Sequence, residues 1–162
     1  MKRTLGLLLA AIVLTAASCE GSNPGSKTTT EPQGKEPATM ELTTIVQQSI
    51  PGGSGGTVKE VIRDQAALNA TWRELGLPEA APSVDFGQEM VIVAAMENQP
   101  CVSRVTIRSA AEAGGELVVD LLEAPPAPNC VCITSERPVH LVRLRKSDAP
   151  ARFNAERGLT PC

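Results

Sequence analysis

Four cysteines lie in the C-terminal half of this 162-residue chain, at Cys101, Cys130, Cys132 and Cys162. An even set of thiols reads as two disulfides wherever a chain is exported to an oxidising compartment. Three pairings are possible. A Cys130–Cys132 bond would close a very small strained ring, so Cys101 is expected to bond to one of that pair and Cys162 to the other. Each bridge would add roughly 2–4 kcal/mol. As thiolates the same residues could ligate a soft metal, but one histidine and no second cluster leave a four-ligand site incomplete. A redox role would need an exposed thiol of low pKa, and a C-x-x-C is missing. Structural disulfides, with no metal and no cofactor, are the expectation.

His140 is the one histidine. It would have to be the base of any Ser-His-Asp relay, with Ser103 or Ser135 as nucleophile and Asp120 as orienter. No strained nucleophile elbow surrounds these residues, which sit in ordinary strand patterns. His140 therefore reads as a strand histidine hydrogen-bonded to structure, and no catalytic residue is expected. PGGSGG at 51–56 has no Lys-Ser or Lys-Thr after its last glycine, so it is not a phosphate-binding loop; it reads as a hairpin connection. Asp64, Glu74, Glu79 and Asp85 show no paired-carboxylate spacing of the kind glycoside hydrolysis needs. Arg143, Arg145 and Lys146 interleave with Val142 and Leu144, the pattern of a solvated strand face that could also meet an acidic partner.

The fifth cysteine, Cys19, stands apart. Lys2 and Arg3 precede an apolar run from Leu5 to Ala17, and Ala16, Ala17 and Ser18 lead directly into Cys19. The run is shorter than the roughly 20 residues a membrane span needs, and the order of basic end, apolar run and small residues is that of an export signal. With a cysteine at its end, the segment resembles a bacterial lipoprotein signal, Ala16 standing where a large aliphatic is usual. Residues 1–18 are thus expected to be removed and Cys19 to carry lipid. Two or three acyl chains, at about 0.8 kcal/mol per buried CH₂, anchor stably. Glu20, rather than Asp, follows the cysteine; under the enterobacterial sorting rule that directs the protein to the outer membrane of the cell envelope.

Loss of residues 1–18 leaves 13 basic against 18 acidic residues, a net charge of −5. That charge argues against nucleic acid as a partner, because phosphate binding needs a basic surface. Trp72, Phe86 and Phe153 are the whole aromatic set, so stacking platforms for bases or sugars are poorly supplied.

These residues need a scaffold. Residues 20–41 are Ser, Thr, Gly, Pro, Glu and Lys with almost no apolar content, a composition that cannot offset its ordering entropy. With Cys19 they make a tether, 19–41, of roughly 25 Å r.m.s. reach. One domain, 42–162, follows. Leu42, Val46 and Ile50 share a parity, as do Val58 and Ile62, giving two half-buried strands. Asp64 reads as an N-cap, Leu68, Trp72 and Leu75 form a helical stripe, and Gly76 with Pro78 ends it, so a helix spans about 64–75. EMVIVAAM at 89–96 is apolar without alternation, a central strand covered on both faces. CVSRVTIRS and ELVVDLLE flank AEAGG as a hairpin. APPAPN is a stiff connector, and NCVCIT and PVHLVRLRK give two further strands. The expected fold class is α+β: a mainly antiparallel sheet of about five to seven strands with one packed helix.

The order of these pieces resembles the PrcB C-terminal-like domain family. The Gly-Ser loop, VIRDQAALNATWREL at 61–75, VDFGQEMVIVAAM at 84–96, LVVDLLEAPPAPN and RPVHLVRLRKS carry the likeness across most of residues 50–147. QPCVS at 99–103 stands where the family commonly has a Gly-Tyr pair, and Pro138-Val139-His140 where it has Pro-Tyr-His. The cysteines lie outside the family pattern and mark a disulfide-stabilised branch. The resemblance implies a non-enzymatic accessory domain of the cell envelope that binds an envelope or secreted protein, a protease complex being the namesake's partner. Surface docking or strand addition at a sheet edge would be its mechanism. A protease inhibitor or envelope hydrolase of unrecognised type, and a thiol or metal module, are the competing readings.

Overall fold

Strand β4 (Glu89–Ala95) is the element around which the others assemble. Its side chains from Met90 onward are buried whichever way they point. A strand of this kind needs a layer on each side. The computed structural model describes residues 38–52 and 54–162 and supplies both layers. The expected signal at 1–18, Cys19 and the expected tether up to residue 37 lie outside the described residues.

β8 (Ser135–Arg145) pairs with one edge of β4, and β3 (Val58–Ile62) with the other. β2 (Thr43–Pro51) pairs with the far side of β8, giving an antiparallel sheet of order β2-β8-β4-β3. The short β5 (Gln99–Pro100) also joins β8. A second sheet holds β1 (Ala38–Thr39), β6 (Arg104–Ala113), β7 (Glu116–Ala124) and β9 (Ala151–Arg157), in that order. Among these, β7 and β9 run parallel.

Met90, Ile92 and Ala94 of β4, with Val142 and Leu144 of β8, pack against Val105, Ile107, Leu117, Val119 and Leu121 of the second sheet. The opposite faces of the same two strands, Val91, Val93, Ala95, Val139 and Leu141, pack against Leu68, Trp72 and Leu75 of helix α1 (Gln65–Glu74). The result is sheet, sheet, helix.

The helix begins and ends as its residues require. Asp64 Oδ1 accepts a 2.8 Å hydrogen bond from the Ala67 N–H. At the other end Gly76, at φ 71°, lets its N–H reach Arg73 O and the Leu77 N–H reach Trp72 O, closing the last turn as a Schellman motif. Trp72 Nε1 donates to Pro78 O at 3.3 Å. The β6–β7 hairpin turns on Gly114 and Gly115, both with φ above zero, as a two-residue type I′ turn demands.

The α+β class and the one helix among the described residues match the sequence expectation; the sheet count does not. Among the described residues nine strands in two sheets replace one sheet of five to seven. β9 (sequence ARFNAER) carries no apolar alternation because it is an exposed edge strand. NCVCIT is not a strand: residues 129–134 form an irregular connector. The Gly-Ser loop is not a hairpin turn, since β2 and β3 lie on opposite edges of their sheet. Order also begins before Leu42, because Ala38 and Thr39 pair with Glu112 and Ala111 and Met40 is buried. Finally, the register of β2 on β8 shifts between Thr44 and Val46. That bulge turns Leu42 into the inter-sheet core, while Val46 and Ile50 face the helix side.

The loop crossing from β2 to β3 passes over Arg137, which is wholly buried. Its guanidinium donates to Ser54 O (2.9 Å), Gly56 O (2.7 Å) and Met96 O (3.3 Å). Gly55 lies so close that a Cβ there would sit 2.8 Å from Nη1, and its φ of +122° also excludes an L side chain. Arg137→Met removes all three donors; the Ser54 and Gly56 carbonyls belong to exposed residues, whereas Met96 is buried, and a buried acceptor left alone costs about 1–3 kcal/mol. Urea denaturation should show a loss of about 1–3 kcal/mol; a loss under about 0.5 kcal/mol would contradict this role.

Candidate functional site

The connector 125–134 between β7 and β8 is fastened at several points. Thr160 bonds it twice and the end of β7 once: its N–H donates to Pro125 O (2.8 Å), its O accepts from the Ala127 N–H (3.0 Å), and its Oγ1 donates to Ala124 O. The Cys130 N–H closes a turn onto Ala127 O at 3.0 Å. Cys132 is bonded to Cys101 and Cys130 to Cys162, with Cα–Cα separations of 5.2 and 5.4 Å. This is one of the two pairings left open by the sequence. It draws all four cysteines to one end of the domain and uses their sulfurs as bridges. Cys101 is held at φ 63°, a left-handed conformation costly for a residue with a Cβ. Its N–H donates to Thr134 O at 3.2 Å.

Within this fastened end the apolar side chains point outward. Val131 is 96 % exposed and Ile133 102 %, and Val102 (60 %) and Leu159 (63 %) flank the two bridges. Burying a branched aliphatic side chain is worth about 1.5–3 kcal/mol, which this domain forgoes at a covalently stiffened site. The sequence reading missed this surface because CVCI fits a strand pattern; the two cysteines were the signal, since residues flanking bridges need not face a core.

His140 is buried between the sheets. Its Nδ1 accepts the Ile107 N–H at 2.8 Å, which leaves the ring proton on Nε2, 3.2 Å from Thr44 Oγ1. Two neighbours act likewise on β6 and the residue before it: Gln47 Nε2 donates to Val105 O (3.2 Å) and Ser49 Oγ to Ser103 O (3.4 Å). Side chains of β2 and β8 thus occupy polar groups that the open edge of β6 would present to another strand. Burial lowers the His140 pKa below its ordinary value.

The relay considered from sequence is not assembled. Asp120 lies on the outer face of the second sheet, accepting from Asn154 Nδ2 (3.0 Å) and Ser109 Oγ (2.8 Å). These bonds, together with Arg152, lower its pKa. Ser135 Oγ accepts from Asn98, and Ser103 Oγ is buried with no hydrogen-bond partner among the described residues. Of the other acids, Asp64 caps the helix and Asp85 Oδ1 accepts the Gly87 N–H at 3.0 Å. Arg143 lies 3.9 Å from Glu89, and Arg145 and Lys146 are exposed, while Val142 and Leu144 are buried. A pair that sequence did not reveal, Lys59 with Glu123 at 2.7 Å, links β3 to β7 and so joins the two sheets. Among the described residues no group of three or more His, Cys, Asp and Glu could hold a metal ion, and no helix is long and apolar enough to cross a membrane.

No family model matches the chain, and no curated protein or solved structure is significantly similar to it.

The histidine gives a signed pH dependence. The unfolded chain takes up its proton near pH 6.5, while the folded chain, with its pKa depressed, does so only at lower pH. Stability should therefore be full above about pH 6.5 and decline below it, down to the folded pKa. Thermal midpoints between about pH 7.5 and pH 5 should fall in the parent. In His140→Gln they should stay flatter over that window, and an equal slope in both proteins would remove His140 as the cause.

Proposed function

We propose that this chain is a lipid-anchored, non-enzymatic protein of the bacterial cell envelope whose domain binds and stabilises another protein. The observation that carries the reading is the exposure of Val131, Ile133, Val102 and Leu159 on the disulfide-fastened end. An apolar surface on rigid backbone loses little conformational entropy on docking. Docking through this end is favoured over strand addition at β6, where Gln47 and His140 take up the Val105 carbonyl and the Ile107 N–H. The engagement of both His140 ring nitrogens supports a structural role for that residue over a catalytic one. The resemblance to the PrcB C-terminal-like family makes a protease complex the partner to look for first. Acylation at Cys19, with the tether behind it, would hold the domain near the outer membrane while leaving it clear of the headgroups.

The test is cross-linking of the acylated protein in its envelope. The parent is expected to retain one stoichiometric partner, and Val131→Asp with Ile133→Asp to bind it more weakly by about a hundred-fold or more, because each of the two buried aliphatics is worth more than about 1.4 kcal/mol. The thermal midpoint should not change, since neither side chain packs on the core. Equal capture by parent and variant, or a hydrolase activity lost in His140→Gln, would sink the proposal. Cys19→Ser should move the protein out of the membrane fraction.

A further inference from the structure

We propose that the segment Cys130–Thr134 enters the substrate cleft of a serine protease of elastase type and inhibits it, with Val131 in the primary specificity pocket. The inference rests on the protein-binding reading above and names the class of its partner.

Three observations carry it. First, Val131 and Ile133 are fully exposed on one stretch of irregular chain, so the partner must be concave, and residues 129–134 carry no charge. Second, the segment is fastened before binding, by the Cys130 N–H bond to Ala127 O, itself held by Thr160, on one side and the Cys101 N–H bond to Thr134 O on the other. Such pre-organisation lowers the ordering cost of entering a cleft, and a small branched aliphatic suits the small pocket of elastase.

Third, Val131 lies between cysteines of two different bridges. Attack of the protease serine oxygen on the Val131 carbonyl breaks the Val131–Cys132 amide and forms a serine ester at Val131. The serine proton passes through the protease histidine to the Cys132 nitrogen. Neither end can leave: the Val131 side stays bonded through Cys130 to Cys162, and the Cys132 side through its bridge to Cys101. The new amine remains beside the ester at high effective concentration, re-attacks the carbonyl, restores the amide and returns the proton to the serine. A substrate sequence is thereby turned into an inhibitor by the positions of the two disulfides.

The test titrates the oxidised full-length chain, acylated and in detergent, against an elastase-type serine protease assayed with a chromogenic peptide ending in valine. Stoichiometric, reversible inhibition is expected, weakened about 30-fold or more by Val131→Asp with no change in thermal midpoint. Mass analysis should find the chain intact or cut only between Val131 and Cys132, its halves parting on reduction. Cleavage elsewhere without inhibition, or inhibition indifferent to Val131→Asp, overturns the inference. So does a loop that only binds lipid vesicles or pairs two copies of the chain. Partner capture that depends on Val131 and Ile133 without protease inhibition overturns this inference and leaves the binding reading standing.

Discussion

The structure depends on the burial of β4 and β8 on both faces. Once Met90, Ile92, Ala94, Val142 and Leu144 point one way and Val91, Val93, Val139 and Leu141 the other, neither face can be left in water. The helix covers one face and the second sheet the other. With few aromatic side chains available, both cores are filled mainly by Leu, Ile, Val, Ala and Met, with Trp72 on the helix side, and their packing gains are spread over many contacts. Lys59–Glu123 and the hydrogen bonds from β2 and β8 to β6 then fix how the two sheets meet.

That arrangement explains why the polar groups with chemical potential are occupied. His140 lies where the sheets meet, and its tautomer is set by a backbone N–H. Asp120 belongs to an outer-face network with Ser109, Asn154 and Arg152. The disulfide end is different. There the fold spends two covalent links on a connector that buries little and presents two branched aliphatic side chains to solvent. A connector stiffened in that way favours recognition by a partner over any contribution to the core.

Much of this was legible in the residues. Asp64, the Leu68-Trp72-Leu75 stripe and Gly76 marked the helix to within a residue, and Gly114-Gly115 marked the hairpin. The unbroken apolar run of β4 announced two covering layers, although not that one would be a second sheet. What failed did so for physical reasons. β9 is an edge strand whose pairing is parallel and whose side chains are mostly exposed, so it has no hydrophobic period. The β2 bulge reverses the faces of Leu42 and Val46 and defeats a simple parity argument. Arg137 is buried through backbone carbonyls of distant loops, a partnership no local pattern encodes. Val131 and Ile133 look like core residues, and only their position beside two disulfides separates them from a strand.

Whether the fastened disulfide end is the recognition surface is decided by amide hydrogen exchange on the oxidised chain with and without its cross-linked partner. New protection is expected at residues 101–102, 130–134 and 159–162, with the β2 edge at Thr43–Pro51 unchanged. Protection along β2, with the disulfide end exchanging as it does alone, would contradict recognition through that end.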